Sequence, residues 1–285
     1  MAAMLPPYGS PQWFGAGTMS RRLSVASAPG LLLLQALAFW PVWQWYARRM
    51  VDGSDEPFGV LALLSAAIIV VARRPFAQPS RGAVIVCAFL ATVYLLAYSG
   101  MPALLKGALA VLALACVFSA IGYQRALQPA IAGLLLLSLP LLASLQFFGG
   151  FPLRLVTTHL VAMGLSLVGW DVVAQGTLLH WAGEVIAVDA PCAGIKMLWS
   201  GLFLNFTLAA WANLGLITTW LGTSLTMLCV FFGNVLRATA LFFTESGIVS
   251  APEFVHQGIG VIVFALVALL VIRLHSGLRR TRTCA

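Results

Sequence analysis

Apolar runs of membrane-crossing length recur along most of this chain, parted by short breakers such as "RRPFAQPSRG" and "SGMP". A spanning helix needs ~20 apolar residues, about 17 at the least, to cross a hydrocarbon layer ~30 Å thick. The candidate spans are Leu31–Tyr46, Phe58–Ala72, Ala83–Tyr98, Pro102–Ile121, Pro129–Phe148, Ile195–Ala212, Leu216–Thr244 and Gly258–Leu274. The first three are short and draw on their flanks, and the seventh is long enough to tilt or kink. Hydrophobic residues make up 61% of the chain and charged residues 8%. A soluble domain carries about a quarter charged residues, so this is an integral membrane protein. The fold class that follows is all-α and polytopic, with about eight transmembrane helices.

The placement of charge orients those spans. The net charge is +8, but the basic residues sit mostly in gaps between apolar runs. That pattern fits topology signals rather than phosphate binding, and no nucleic-acid partner is expected. With the N-terminus inside, the cytoplasmic segments hold Arg21, Arg22, Arg73, Arg74, Arg81, Arg125, Arg273, Arg279, Arg280 and Arg282. The positive-inside rule then puts both termini in the cytoplasm of a cell that carries the chain as a multi-pass protein of its inner membrane. All the acidic residues fall on the outer side.

Between the fifth and sixth spans lies a long outer segment. "FPLRLVTTHLVAMGLSLVGW" (Phe151–Trp170) is apolar enough for a ninth span, but a ninth crossing would put the arginine-rich C-terminus outside. It is therefore expected to lie in the outer interface. "DVVAQGTLLHWAGEVIAVDA" follows, with β-branched residues around Gly176 and Gly183. It reads as a short β-hairpin turning near "WAGE". The expected organisation is a disordered leader over 1–28, a five-span bundle over 29–150 and an outer interfacial helix and loop over 151–191. A three-span catalytic segment over 192–275 and a basic cytoplasmic tail over 276–285 complete it.

Once oriented, the spans bring three chemical groups to one depth on the outer side. The sixth starts beside Cys192 in "DAPCAGIK", the seventh carries Asn234 and Arg237 near its outer end, and the eighth opens with "EFVHQGIG", which contains His256. Cys192 follows Pro191 at a helix start, where the helix dipole favours a thiolate. Lys196, four residues on, suits either a thiolate partner or a snorkelling anchor. An arginine flanked by apolar residues is costly in a membrane and tends to face a partner or cavity, and Asn234 shares its helical face. Asp189, Lys196 and Asn234 are the supporting candidates. The chemistry that uses such a set is acyl transfer through a thioester, with cysteine as nucleophile, histidine moving the proton and arginine holding the oxyanion. The cysteines form no CxxC pair, and neither HExxH nor GxSxG occurs. A disulfide framework, a zinc site and a serine hydrolase are thus poorly supported, and neither a cofactor nor a metal is expected.

"VDAPCAGIKML", "GNVLRA" and "FVHQGIG" together resemble the exosortase/archaeosortase family of multi-spanning membrane cysteine transpeptidases. The resemblance covers roughly Val172 to Leu274. It implies Cys192 as nucleophile with Arg237 and His256 completing the site. It also implies substrates among exported proteins that end in a short motif, a transmembrane helix and a basic cluster, passed to an envelope glycan or lipid acceptor within the lipid bilayer. The family's common Ala-Cys-Ser-Gly is Pro191-Cys192-Ala193-Gly194 here, whereas Asn234 and Arg237 keep the family's N-x-x-R spacing. The residues alone leave two other readings open. One is a transporter or flippase with Arg237 and Lys106 in an anion pathway; the other is a structural protein whose polar residues lock helices together.

Overall fold

Prolines decide where several of the apolar runs break. The computed structural model describes residues 28–51, 58–73, 81–189, 193–250 and 252–283. The expected leader falls almost wholly outside them. The first apolar run is two helices, α1 (Ala28–Ala38) and α2 (Trp40–Val51). The break at Phe39 precedes Pro41, which has no N–H to bond back to Leu37. Next come α3 (Phe58–Arg73), α4 (Arg81–Leu96) and α5 (Ala103–Tyr123), close to their expected bounds.

The next two helices differ from expectation. α6 (Pro129–Leu137) stops short of Pro140, and α7 (Leu142–Leu167) then runs unbroken through Gly149, Gly150 and Pro152. The anticipated division near the glycine pair is therefore not made. A helical glycine costs only ~1 kcal/mol, less than opening backbone hydrogen bonds in an apolar setting. Pro140 and Pro152 each remove a donor, but the helix stops only at Pro140.

Three strands follow: β1 (Val173–Gln175), β2 (Leu178–Trp181) and β3 (Glu184–Ala187), antiparallel in the order β1-β2-β3. The β2–β3 turn is Ala182–Gly183, both at positive φ (50° and 87°), within the anticipated "WAGE". Such a two-residue turn matches the twist of the strands it joins. A second tight turn at Gly176 adds β1, so the expected hairpin is a three-stranded sheet. The chain ends in α8 (Ile195–Trp211), α9 (Leu216–Glu245) and α10 (Glu253–Thr283).

Four of the described helices, α5, α7, α9 and the apolar stretch of α10, are long and apolar enough to cross a membrane. The protein is a multi-pass membrane protein built of helices with one small sheet. Shorter apolar helices, α1, α3 and α4, accompany them.

The alternation of helix direction is visible in the contacts. At one end Arg73 Nη2, from the end of α3, donates to Ala210 O at 2.7 Å and also to Trp211 O. These carbonyls close α8, and Ala210 O also accepts from Asn213 N at 3.1 Å in the turn that follows. Tyr123 Oη donates to the same Ala210 carbonyl at 2.8 Å, and its ring lies 4.3 Å beneath the Arg73 guanidinium. Gln128 Nε2 reaches Asn213 Oδ1 (3.0 Å) and Leu214 O (3.2 Å). At the other end Phe58 lies 5.5 Å from Trp199, and Gly59 abuts the Ser138 carbonyl. α3, α5 and α8 therefore run in one sense and α6 in the other. α6 and α8 join the N-terminal helices to the trio α8–α9–α10.

α7 does not traverse this bundle, although its length would allow it. Its start packs with Leu137 and Trp199, its middle meets Asn234, and its last turns pack with Leu179, Ile186 and Phe242. All these partners lie away from the Arg73 end. α7 therefore packs across the end of the molecule opposite Arg73.

The close approach of α6 and α8 leaves no room for added volume. A Cβ on Gly133 would sit 2.6 Å from the Phe206 ring, whereas one on Gly164 would meet nothing within 4 Å. Gly133→Ala is expected to destabilise by about 1–3 kcal/mol through overpacking. Thermal unfolding in detergent checks this, with Gly164→Ala as a control that leaves the transition in place or raises it slightly.

Candidate active site

α8 starts where the chain leaves the sheet. Gly194 is its N-cap, with φ 76° and ψ 8°, and its carbonyl accepts from Leu198 N at 2.8 Å. A residue with a Cβ adopts that left-handed geometry at a cost of roughly 1–2 kcal/mol. Space imposes a second demand for glycine here, because a Cβ would sit 2.7 Å from Asn234 Cγ. The Asn234 amide thus lies directly on the backbone that opens α8. Its Nδ2 also donates to Thr157 Oγ1 of α7 at 3.5 Å, and Asn234 is only 4% exposed. Cys192, together with Ala190 and Pro191, lies outside the described residues. Asp189 before it is exposed, Ala193 after it is buried, and Lys196 is exposed on the first turn of α8.

One turn beyond Asn234, Arg237 faces α10. A Cβ on Gly260 would come within 3.3 Å of Arg237 Nε, so the guanidinium lies against a bare patch of that helix. His256 precedes Gly260 by one helical turn, about 6 Å along the axis. It too meets α9, through Glu245: His256 Nδ1 is 3.0 Å from Glu245 Oε1. Both side chains are about half exposed, at 43% and 51%, so the pair sits at a wet edge where an ion pair alone adds little stability. What the contact does determine is direction. A carboxylate only accepts, so Nδ1 carries the hydrogen, and Nε2 is left to exchange a proton when the ring is neutral.

Two cavities adjoin these residues. One of about 80 Å³ is lined by Ala187, Asp189, Leu241, Phe242, Glu245 and His256, among others. The other, about 460 Å³ and largely apolar, lies between α7, α8 and α9 and reaches Ala193, Gly194 and Asn234. The structure therefore brings Asn234 to the start of α8, Arg237 to α10 and His256 to a cavity shared with Asp189. It does not bring Lys106 to Arg237. The Lys106 ammonium lies 4.2 Å over the Tyr98 ring in a separate cavity with Trp45 and Tyr94. An anion pathway through both cations has no support in this arrangement.

The model of the family described as transmembrane exosortase (Exosortase_EpsH) matches residues 43–273. The chain belongs to the transmembrane exosortase family. That match covers α3 to α9 entirely and most of α2 and α10, so it embraces the N-terminal helices as well as the site. The family gives this exosortase the general role of a membrane transpeptidase or protease acting on exported proteins. No curated protein and no solved structure matches the chain.

Sequence reasoning missed Glu245 and Thr157. Glu245 stands eight residues after Arg237, two helical turns along much the same face of α9, so periodicity alone offered a signal. Thr157 offered none, since its meeting with Asn234 depends on where α7 packs. Because Gly194 is held by both conformation and space, Gly194→Ala in this exosortase is expected to lower substrate processing at least about tenfold and destabilise by roughly 1–2 kcal/mol. Processing assays alongside detergent unfolding check both, and wild-type behaviour in both would show that the Asn234 contact is unimportant.

Proposed function

We propose that this exosortase is a membrane-embedded cysteine transpeptidase or protease that cleaves C-terminal sorting signals of exported proteins through a thioester on Cys192. The observation that carries the reading is the pair of contacts made by one face of α9. Asn234 lies on Gly194, two residues from Cys192 in sequence, and Arg237 lies on Gly260, one turn from His256. Nucleophile segment, cation and imidazole thereby belong to one end of the α8–α9–α10 trio.

In this mechanism Cys192 Sγ gives its proton to His256 Nε2 and, as thiolate, attacks the carbonyl carbon of the scissile peptide. Negative charge moves onto the carbonyl oxygen, where the permanently charged Arg237 guanidinium stabilises it. Removing one such oxyanion donor costs about 2.7–4 kcal/mol in activation free energy in enzymes of this kind. The C–N bond then breaks, and His256 Nε2 delivers a proton to the departing amine. Glu245, bonded to Nδ1, holds the imidazole in the required orientation. An acceptor amine or water next attacks the thioester and gives its proton to His256 Nε2 as the C–S bond breaks, which restores the thiolate beside a protonated imidazole. Asn234 acts as a positioning residue for the start of α8. Asp189 borders the cavity that His256 faces, and Lys196 adds positive potential near the thiolate.

On this reading 192–275 is the catalytic segment, 29–150 the supporting bundle and 151–191 an outer interfacial unit. The 1–28 leader and 276–285 tail are cytoplasmic, and the site faces outward from the cell membrane. The apolar cavity between α7, α8 and α9 suits the apolar part of a sorting tail. The partners are tail-bearing exported proteins, the lipid bilayer and an envelope glycan or lipid acceptor. Co-expression with an exported reporter ending in Pro-Glu-Pro, an apolar helix and a basic cluster tests the assignment by the reporter's mass. Cys192→Ala is expected to abolish processing with expression and unfolding unchanged, while Cys87→Ala and Cys116→Ala leave it within about twofold. Processing that persists in Cys192→Ala would overturn the reading.

A further inference from the structure

The small sheet has an open edge beside the candidate site. Its strand order is β1-β2-β3, so β3 pairs on one side only, with β2. Which groups face outward follows from the register. Val188 N donates to Thr177 O at 2.9 Å, on the β2 side. Hydrogen-bonded and non-bonded pairs alternate along an antiparallel ladder, so Ile186 and Glu184 also face β2. The amide and carbonyl groups of Val185 and Ala187 therefore point away from the sheet. Val185 is 55% exposed, and among the described residues no backbone hydrogen bond from outside the sheet reaches Val185 or Ala187.

An exposed strand edge is a row of unpaired donors and acceptors, and proteins usually blunt or cover one. Here the edge is short, and its sheet is firmly seated: Leu179 and Ile186 are buried against Phe242 and Ala238 of α9. The far wall of the space beyond it carries the chemistry. Ala187 and Asp189 line one side of the 80 Å³ cavity, and Leu241, Glu245 and His256 line the other. The chain leaving β3 reaches Cys192 only three residues after Asp189.

We propose that β3 recognises its substrate by strand addition: an extended peptide segment pairs with the outward groups of Val185 and Ala187 as a fourth strand. This deepens the proposed function and rests on it, since the segment is the one carrying the scissile bond. Pairing through main-chain atoms holds any extended sequence in fixed register, and alternate side chains then decide specificity. One of them enters the cavity between Ala187 and Leu241, whose size favours a small side chain. An extended backbone also leaves the scissile carbonyl open to attack, which a helical tail would not, because its carbonyl is already bonded within the helix.

Cross-linking tests this independently of catalysis. The full-length chain bearing Val185→Cys and Cys192→Ala is co-expressed with the Pro-Glu-Pro reporter, whose residues ahead of the apolar helix are replaced singly by cysteine. Strand addition predicts disulfide formation that alternates with a period of two along the reporter. A flat profile, a profile of helical period or no cross-link, with wild-type chain cleaving the same reporter, overturns strand addition and leaves the thioester mechanism standing. Ala187→Pro supplies the second arm. It deletes an outward N–H, which an edge strand tolerates, and is expected to raise KM at least about tenfold with unfolding and the alkylation rate of Cys192 unchanged. An unchanged KM would likewise overturn the proposal.

Discussion

The amide of Asn234 lying on the bare backbone of Gly194 is the contact on which the candidate site depends. It sets how far α9 slides along α8, and so how much of α9 stands beyond the start of α8. From Asn234 to Phe242 is about 12 Å of helix, and that overhang is what α7, the sheet and the beginning of α10 gather around. Arg237 and Glu245 occupy the same overhang and meet Gly260 and His256 in turn. A shift of one helical turn along α8 would carry Arg237 and Glu245 away from the start of that helix. Positive φ and lack of space both demand glycine at 194, so the chain commits two independent constraints to a single residue.

The opposite end of the molecule explains how that register withstands the apolar surroundings. Arg73, Tyr123 and Gln128 bind the final carbonyls of α8 and the turn after it, and Asn205 Nδ2 bonds Thr223 Oγ1 at 3.0 Å within the α8–α9 seam. Between apolar helices in a bilayer there is no hydrophobic drive to associate, so such polar contacts and close small-residue packing carry the specificity. α8 is thereby held at both ends, by N-terminal helices at its last turn and by α7 and α9 at its first. The α8–α9–α10 trio is accordingly tied to the N-terminal bundle, in agreement with a family match that begins at residue 43.

Much of this was legible in the sequence, for definable reasons. Apolar length and arginine placement gave the alternation of helices, because both report directly on the solvent around each segment. The depth shared by Arg237 and His256 follows from that alternation, and the turn at Ala182–Gly183 follows from local chemistry. Properties that depend on competition between neighbours were harder to read. Pro140 outweighed Gly149 and Gly150 as a helix breaker, which moved residues from the expected fifth span into α7. Arg73 looked like a topology signal and also closes α8, a role invisible without α8 beside it. Glu245 looked like a solvated helix end until His256 appeared 3.0 Å away.

The central claim is that Cys192 becomes acylated by the protein it cleaves. Intact-protein mass measurement after rapid quenching of the purified exosortase with the tail-bearing reporter tests it most directly. The account predicts an adduct equal to the reporter's N-terminal fragment, located on Cys192 by peptide mapping and removed by hydroxylamine as thioesters are. Arg237→Ala is predicted to suppress its formation. Cleaved reporter with no adduct under any quench, or an adduct on another residue, would contradict the account.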